Sequence, residues 1–139
     1  MTIKERKSVM NATIRLMKKR SDNFHMNWIC MTDGYSNART AREAINACGT
    51  CACLAGFVCA TDASMPRDSA SEYSAESKLG LDSDLSQALF FADSTTCPEF
   101  NKKCPEGHSL FNRAIGIGIA ALRLAVKIQN ARDKKYESL

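Results

Sequence analysis

The chain of 139 residues is 45% apolar and 24% charged, the composition of one ordinary globular domain able to bury a core without disulfides or metal. Its 19 Lys and Arg against 15 Asp and Glu leave a formal net charge of +4, compatible with nucleic acid or an acidic partner and requiring neither. No uncharged run reaches the roughly 20 apolar residues that span a bilayer, so no membrane helix is expected.

The opening Met1-Thr2-Ile3-Lys4 carries charge early and lacks an apolar core, so no secretory signal is expected and the cytoplasm is the default compartment. Between Thr2 and Arg20 the apolar residues Ile3, Val9 or Met10, Ile14 and Met17 recur at helical spacing, with Leu16 alongside. The other side carries Lys4, Arg6, Lys7, Arg15, Lys18, Lys19 and Arg20, with Glu5 the only acidic member. This spacing predicts an amphipathic helix with Thr2 as N-cap and cations gathered where the helix dipole favours them. The ridge reads either as a solvated face or as a surface for an anionic partner.

Ser21-Asp22-Asn23 ends that helix. Phe24, Met26 and Trp28 then alternate as in a short extended segment that lays large side chains on the core, with Trp28 an anchor. Thr32 to Asn37, with Asp33-Gly34, is turn chemistry, and residues 38–47 read as a short helix with Arg39, Arg42 and Glu43 exposed. Next comes Cys48-Gly49-Thr50-Cys51-Ala52-Cys53-Leu54-Ala55-Gly56-Phe57-Val58-Cys59, which holds four of the seven cysteines and no charge. Read as a helix over 48–60, it is apolar on every face and belongs in the middle of a bundle. Gly49, Cys53 and Gly56 with Ala52 and Ala60 would let a neighbouring helix approach closely.

The polar run 61–71, with Met65-Pro66 and Arg67, reads as a surface loop. Residues 70–79 form a helix stopped by Gly80, and Asp82 or Ser83 caps another through Leu85, Ala88, Leu89 and Phe90. The stretch 93–107 has two prolines and two cysteines and reads as an irregular connection. Ser109 caps a last helix that runs through Asn130 or beyond, with Leu110, Ala114, Ile117, Ala121, Leu124 and Ile128 at three- and four-residue spacing. Gly116 and Gly118 mark where it is expected to cross the 48–60 helix, and residues 136–139 are expected to fray. The sum is an all-α single domain over residues 1–139, a bundle of five or six helices around a small-residue-rich centre. Trp28, Leu54, Phe57, Leu89 and Ile117 are expected among its least exposed side chains.

The motifs Phe24-x-Met26-x-Trp28, Cys48-Gly49-Thr50-x-x-Cys53-Leu54-Ala55-Gly56, Leu79-Gly80-Leu81 and Ala88-Leu89-Phe90-Phe91 resemble a set of small bacteriophage and prophage proteins. The resemblance covers residues 24–91 and departs from the pattern at Cys51-Ala52 and in the extra cysteines 59, 97 and 104. It implies phage origin and a helical fold, and supplies no catalytic residue.

Several constellations bear on chemistry. Cys48 and Cys51 with Cys104 and His108 have the spacing of two halves of a zinc knuckle, set against a helical run that would bury the first pair. Cys48 or Cys51 at a helix N-terminus suits a nucleophile, but His25 and His108, the two imidazoles, sit in no partner motif. Leu79-Gly80-Leu81-Asp82-Ser83 resembles the turn of a helix-turn-helix, yet the helix after it is acidic at its start and apolar along its body, which suits a core rather than phosphate. No catalytic set is legible, so no enzyme, metal or cofactor is expected.

The expected function is that of a phage-encoded interaction protein that binds and inhibits or redirects a host protein complex, with a defence system as one target, in the cytoplasm of an infected bacterium. Direct nucleic-acid binding through the basic first helix is the alternative, so the expected partner is a host protein or a protein–nucleic acid complex. The residues expected to make the contact are Lys7, Arg15, Lys18, Lys19 and Arg20 on the helix, with Met65 and Arg67 in the 61–71 loop as a second surface.

Overall fold

A computed structural model of the chain describes residues 1–21, 24, 38–46, 53–91, 96–104 and 115–138. Seven α-helices and no strand are present among them: α1 Ile3–Lys19, α2 Ala41–Asn46, α3 Leu54–Cys59, α4 Glu72–Leu79, α5 Ser83–Phe90, α6 Pro98–Lys103 and α7 Ile115–Glu137. The fold is an all-α bundle.

Helix α1 begins as its sequence dictates. The Thr2 hydroxyl accepts from the Glu5 backbone N–H at 3.1 Å, while the Glu5 carboxylate accepts from the Thr2 N–H at 2.7 Å, a reciprocal capping box. Its apolar stripe buries Ile14 and Met17. Helix α4 ends on Gly80, whose φ of 59° is left-handed backbone that glycine adopts without a Cβ penalty. The Leu81 N–H reaches the Glu76 carbonyl and the Gly80 N–H the Ser77 carbonyl, each at 3.2 Å, which closes a Schellman motif.

The centre is built on α3. Every residue from Cys53 to Ala60 is buried, and α3 packs chiefly against α4, then against α1 and α2. The Phe57 ring meets Phe24 with centroids 6.1 Å apart. Leu54, Phe57 and Leu89 are fully buried, as their apolar surroundings in sequence predict. Ile117 is only half-buried, because α7 lies along α1 and offers the next turns, Ala121, Leu122, Ala125 and Val126, to the core instead. The crossing expected at Gly116 and Gly118 is therefore with a different element. A Cβ on Gly118 would lie 2.9 Å from Phe24 Cζ and 3.4 Å from Met17 Cε, whereas nothing lies within 4 Å of one on Gly116. Gly118 is the close-approach position, and it faces α1 and Phe24.

Two further boundaries differ from the sequence reading. The expected connection 93–107 contains α6, started by Pro98, favoured by Glu99 in its first turn and Lys102 and Lys103 in its last, and anchored by fully buried Phe100. Helix α2 falls within the short helix expected over 38–47, and α6 brings the number among the described residues to seven rather than five or six. The last helix continues through Glu137, so Tyr136 and Glu137 are helical rather than frayed. Trp28, residues 48–52 that open the expected 48–60 helix, and 109–114 of the expected last helix lie outside the described residues.

Arginine side chains close three helix C-termini. Arg6 is 2% exposed and donates to the carbonyls of Leu79 at 2.7 Å and Gly80 at 3.1 Å, the orphan acceptors at the end of α4. Arg42 does the same after α3, donating to Ala60 O at 3.0 Å and Thr61 O at 2.7 Å. Arg20 reaches both the side chain and the carbonyl of Asn46 at the end of α2, each at 3.3 Å. The planar guanidinium, with five donors in a fixed fork, reaches two separated carbonyls with different nitrogens in a pre-organised geometry, whereas a lysine ammonium must serve both from a single point.

Candidate docking surface

Helices α1 and α7 run antiparallel: Arg6 near the start of α1 meets Asn130 and Asp133 late in α7, while Met17 near the end of α1 meets Gly118 early in α7. Their outward faces are cationic. On α1, Lys4, Lys7, Arg15, Lys18 and Lys19 are all exposed, with exposed Ser8 and Asn11 among them. Along α7, Arg123, Lys127, Lys134 and Lys135 are exposed, and no acidic residue precedes Asp133 in that helix. None of these nine lysines and arginines forms an ion pair among the described residues. Glu5, the acidic residue of α1, is committed to the capping box, and the backbone N–H of Thr2 holds its carboxyl below the usual range.

Between the two cationic rows runs a groove of about 500 Å³. Its floor is Ile3, Met10 and Val126, and its walls include Lys7, Arg123, Lys127 and Lys134. A second groove, also about 500 Å³, opens on the far side of α7 against α6, with Leu124, Ile128 and Tyr136 beside Lys103, Lys127 and Lys135. Lys127 and Ala131 border both, so α7 stands as a ridge with apolar hollows on either flank.

Several of the other charged residues are matched internally. Arg132 donates to Asp82 at 2.9 Å, to both oxygens of Asp84 at 2.8 and 2.9 Å, and to Glu99, tying α5, α6 and α7 together. These contacts hold the Asp84 carboxyl below its ordinary range and the Arg132 guanidinium firmly protonated. Lys78 pairs with Asp62, and with Ser64 it depresses the Asp62 carboxyl strongly. Arg6 contacts Asp133 at 2.6 Å and Asn130 at 2.7 Å; burial alone would raise the Asp133 carboxyl, but hydrogen bonds from Gln129 and Arg6 keep it low.

Against this geometry the seven contact residues read from sequence divide. Lys7, Arg15, Lys18 and Lys19 stand exposed on one helix, and Lys7 lines the α1–α7 groove. Arg15 and Lys19 border a smaller hollow with Arg42 and Thr61. Arg20 is half-buried and engaged with α2. Met65 is half-buried against the core, its carbonyl accepting from the Ala41 N–H at 2.9 Å. Arg67 is half-buried, lies 3.8 Å from Asp68, and its backbone N–H donates to the Arg39 carbonyl. The 61–71 segment is thus partly a packed corner against α2 rather than a free loop. Arg6, placed on the open ridge by its helical position, is interior instead, because the end of α4 presents carbonyls to it. Missing from the sequence reading were Arg123 and Lys127 as members of the surface, although their four-residue spacing on a long helix was visible.

The cysteine chemistry finds no support among the described residues. The Cys53 thiol is buried and pushed up to about 11 by that burial, and burial raises Cys59 and Cys97 as well, so these sulfurs are held protonated. Cys104 is half-buried with its Sγ 3.3 Å from the Asn101 carbonyl. Cys48, Cys51 and His108 lie outside the described residues, and among the described ones no group of three or more His, Cys, Asp or Glu is placed to hold a metal. The helix-turn-helix reading gains nothing from α5, which buries Leu85, Ser86, Ala88, Leu89 and Phe90 and leaves outward only Ser83, Asp84 and Gln87, a short side without a cation. Among the described residues no helix is long and apolar enough to cross a membrane. No family model, curated protein or solved structure matches this chain.

Proposed function

We propose that this chain is an interaction protein that docks on a negatively charged macromolecular surface through the outward face of α1 and α7. The observation that carries the reading is the contrast within one charge set. Arg6, Arg20, Arg42 and Arg132 are consumed by helix ends and carboxylates, while nine cations on two adjacent helices form no ion pair among the described residues. A field of one sign over two packed helices steers an acidic partner and raises its association rate. Taken with the phage-protein resemblance in the sequence, the partner is a host protein complex that the chain blocks or redirects.

Direct binding of nucleic acid is the second reading. It is favoured by Ser8 and Asn11, polar and exposed among the cations of α1, which suit phosphate contacts. Affinity capture from bacterial lysate, with and without nuclease, separates the two. The first reading expects a defined partner at fixed stoichiometry that survives nuclease and is lost when Lys7, Lys127 and Lys134 are all changed to Glu. Loss of every captured species on nuclease treatment supports the second. Capture unchanged by the triple substitution would refute both.

A further inference from the structure

We infer that the groove between α1 and α7 seats an acidic amphipathic helix of the partner, its apolar side chains on Ile3, Met10 and Val126 and its carboxylates on the flanking cations. The inference rests on the docking reading above and narrows it to one kind of partner segment. Two antiparallel helices leave between them a furrow that a third helix can fill, and laying an apolar face into such a groove is a recurring way in which an amphipathic helix is recognised. From Arg123 to Lys134 the groove follows α7 for twelve residues, about 16–18 Å at 1.5 Å per residue, or a little over three turns. That length accepts apolar anchors at i, i+3 or i+4, and i+7.

The lining selects the occupant by charge and by polarity together. Lys7, Arg123, Lys127 and Lys134 face it from both helices without a competing carboxylate among the groove's lining residues. A second copy of this chain placed face to face would oppose cations to cations, which disfavours self-docking through this groove. A sugar-phosphate backbone satisfies the walls but leaves the apolar floor without a matching surface. An acidic helix with one apolar stripe satisfies both. Asn130, also lining the groove, is already engaged by Arg6, so the floor keeps its shape when the groove fills.

The test uses three labelled probes on the full chain at one low salt concentration, read by fluorescence anisotropy. The first is a glutamate-rich peptide with leucines at helical spacing; the second is the same peptide with serine for leucine; the third is a DNA duplex of equal charge. The expected result is that the leucine peptide binds at least about tenfold more tightly than either other probe. Met10→Ser should weaken it by about tenfold, as apolar anchor contacts in grooves of this kind do. Ala131→Glu, on an exposed residue at the groove rim, should do the same without touching the core, and covers the case that Met10→Ser disturbs folding. Equal binding of the leucine and serine peptides, or tighter binding of the duplex, overturns the amphipathic-helix inference and leaves the basic docking face standing. Failure of all three probes to bind the wild-type chain removes both.

Discussion

Arg6 and Lys7 are adjacent on α1, yet Arg6 is 2% exposed inside a cage of Leu79, Gly80, Asn130 and Asp133, while Lys7 stands in water beside a groove. The same division runs through the molecule. Arginines hold the bundle together where a helix ends or a carboxylate cluster needs a cation, and the exposed outer faces of α1 and α7 carry mostly lysine. The difference teaches that the net charge of +4 is not spread evenly. Among the described residues many carboxylates are engaged by internal partners, while nine exposed lysines and arginines lie on α1 and α7 without an ion pair.

The largest expected effect comes from breaking the interior half of that comparison. Arg6→Met strips Asp133 of its ion pair and leaves the α4 terminal carbonyls without a donor. It should destabilise by about 3–5 kcal/mol, the cost of removing one partner from a buried pair. Urea denaturation measures it, and a loss under about 1 kcal/mol would show that Arg6 is a passenger.

Acid should act on the same interior set. Asp84 and Asp133 titrate below their ordinary value of 3.8 in the folded chain, so the stability they contribute is full above that pH. It is lost as pH falls below 3.8 and through the lower folded values. Thermal melts from pH 7 down to 2 should stay level until about 4 and then fall. A steep fall between pH 7 and 5 would point to a different titrating group.

A smaller effect, of opposite sign, sharpens the comparison on α7. Gly116 is exposed with nothing near its missing Cβ, so Gly116→Ala should stabilise by about 0.5–1 kcal/mol through helix propensity. Gly118→Ala gains the same propensity but drives a Cβ into the Phe24 ring, and it should melt no higher than wild type. Matching gains at both sites would remove Gly118 from the α1–α7 contact.

The smallest effect on stability belongs to the exterior half. Changing Lys7, Lys127 and Lys134 to Glu should shift stability by no more than about 0.5 kcal/mol each, because these exposed side chains form no ion pair among the described residues. A cooperative melt well below wild type would mean that they support the fold.

Much of the fold was legible because local chemistry agreed with the global arrangement. Thr2 with Glu5, Ser71 before α4, Gly80 after it and Asp82 before α5 each announce a helix boundary. Leu54, Phe57 and Leu89 are buried because nothing charged surrounds them in sequence. The misreadings share one cause. Periodicity places a residue on a face of its own helix but does not say what lies opposite. Arg6 falls within the polar part of the α1 pattern, and its burial follows only from the end of α4, some seventy residues away in sequence. Helix α6 is too short for a periodic signal, and its one strong core anchor, Phe100, sits between prolines and cysteines that read as loop. The docking face was half visible for the same reason: the α1 cations stand out in sequence, while their pairing with Arg123 and Lys127 depends on α7 folding back against α1.

The central claim, that the exposed cations of α1 and α7 form the docking surface, is tested most directly by mapping where a polyanion lands. Backbone and lysine side-chain NMR shifts recorded during titration with a polyglutamate peptide provide that map. Perturbations should centre on Lys7, Met10, Arg123, Lys127 and Lys134, shrink as salt rises, and leave Arg42, Arg67 and Lys78 unmoved. A footprint centred on the 61–71 corner, or one spread evenly over every exposed lysine, would contradict it.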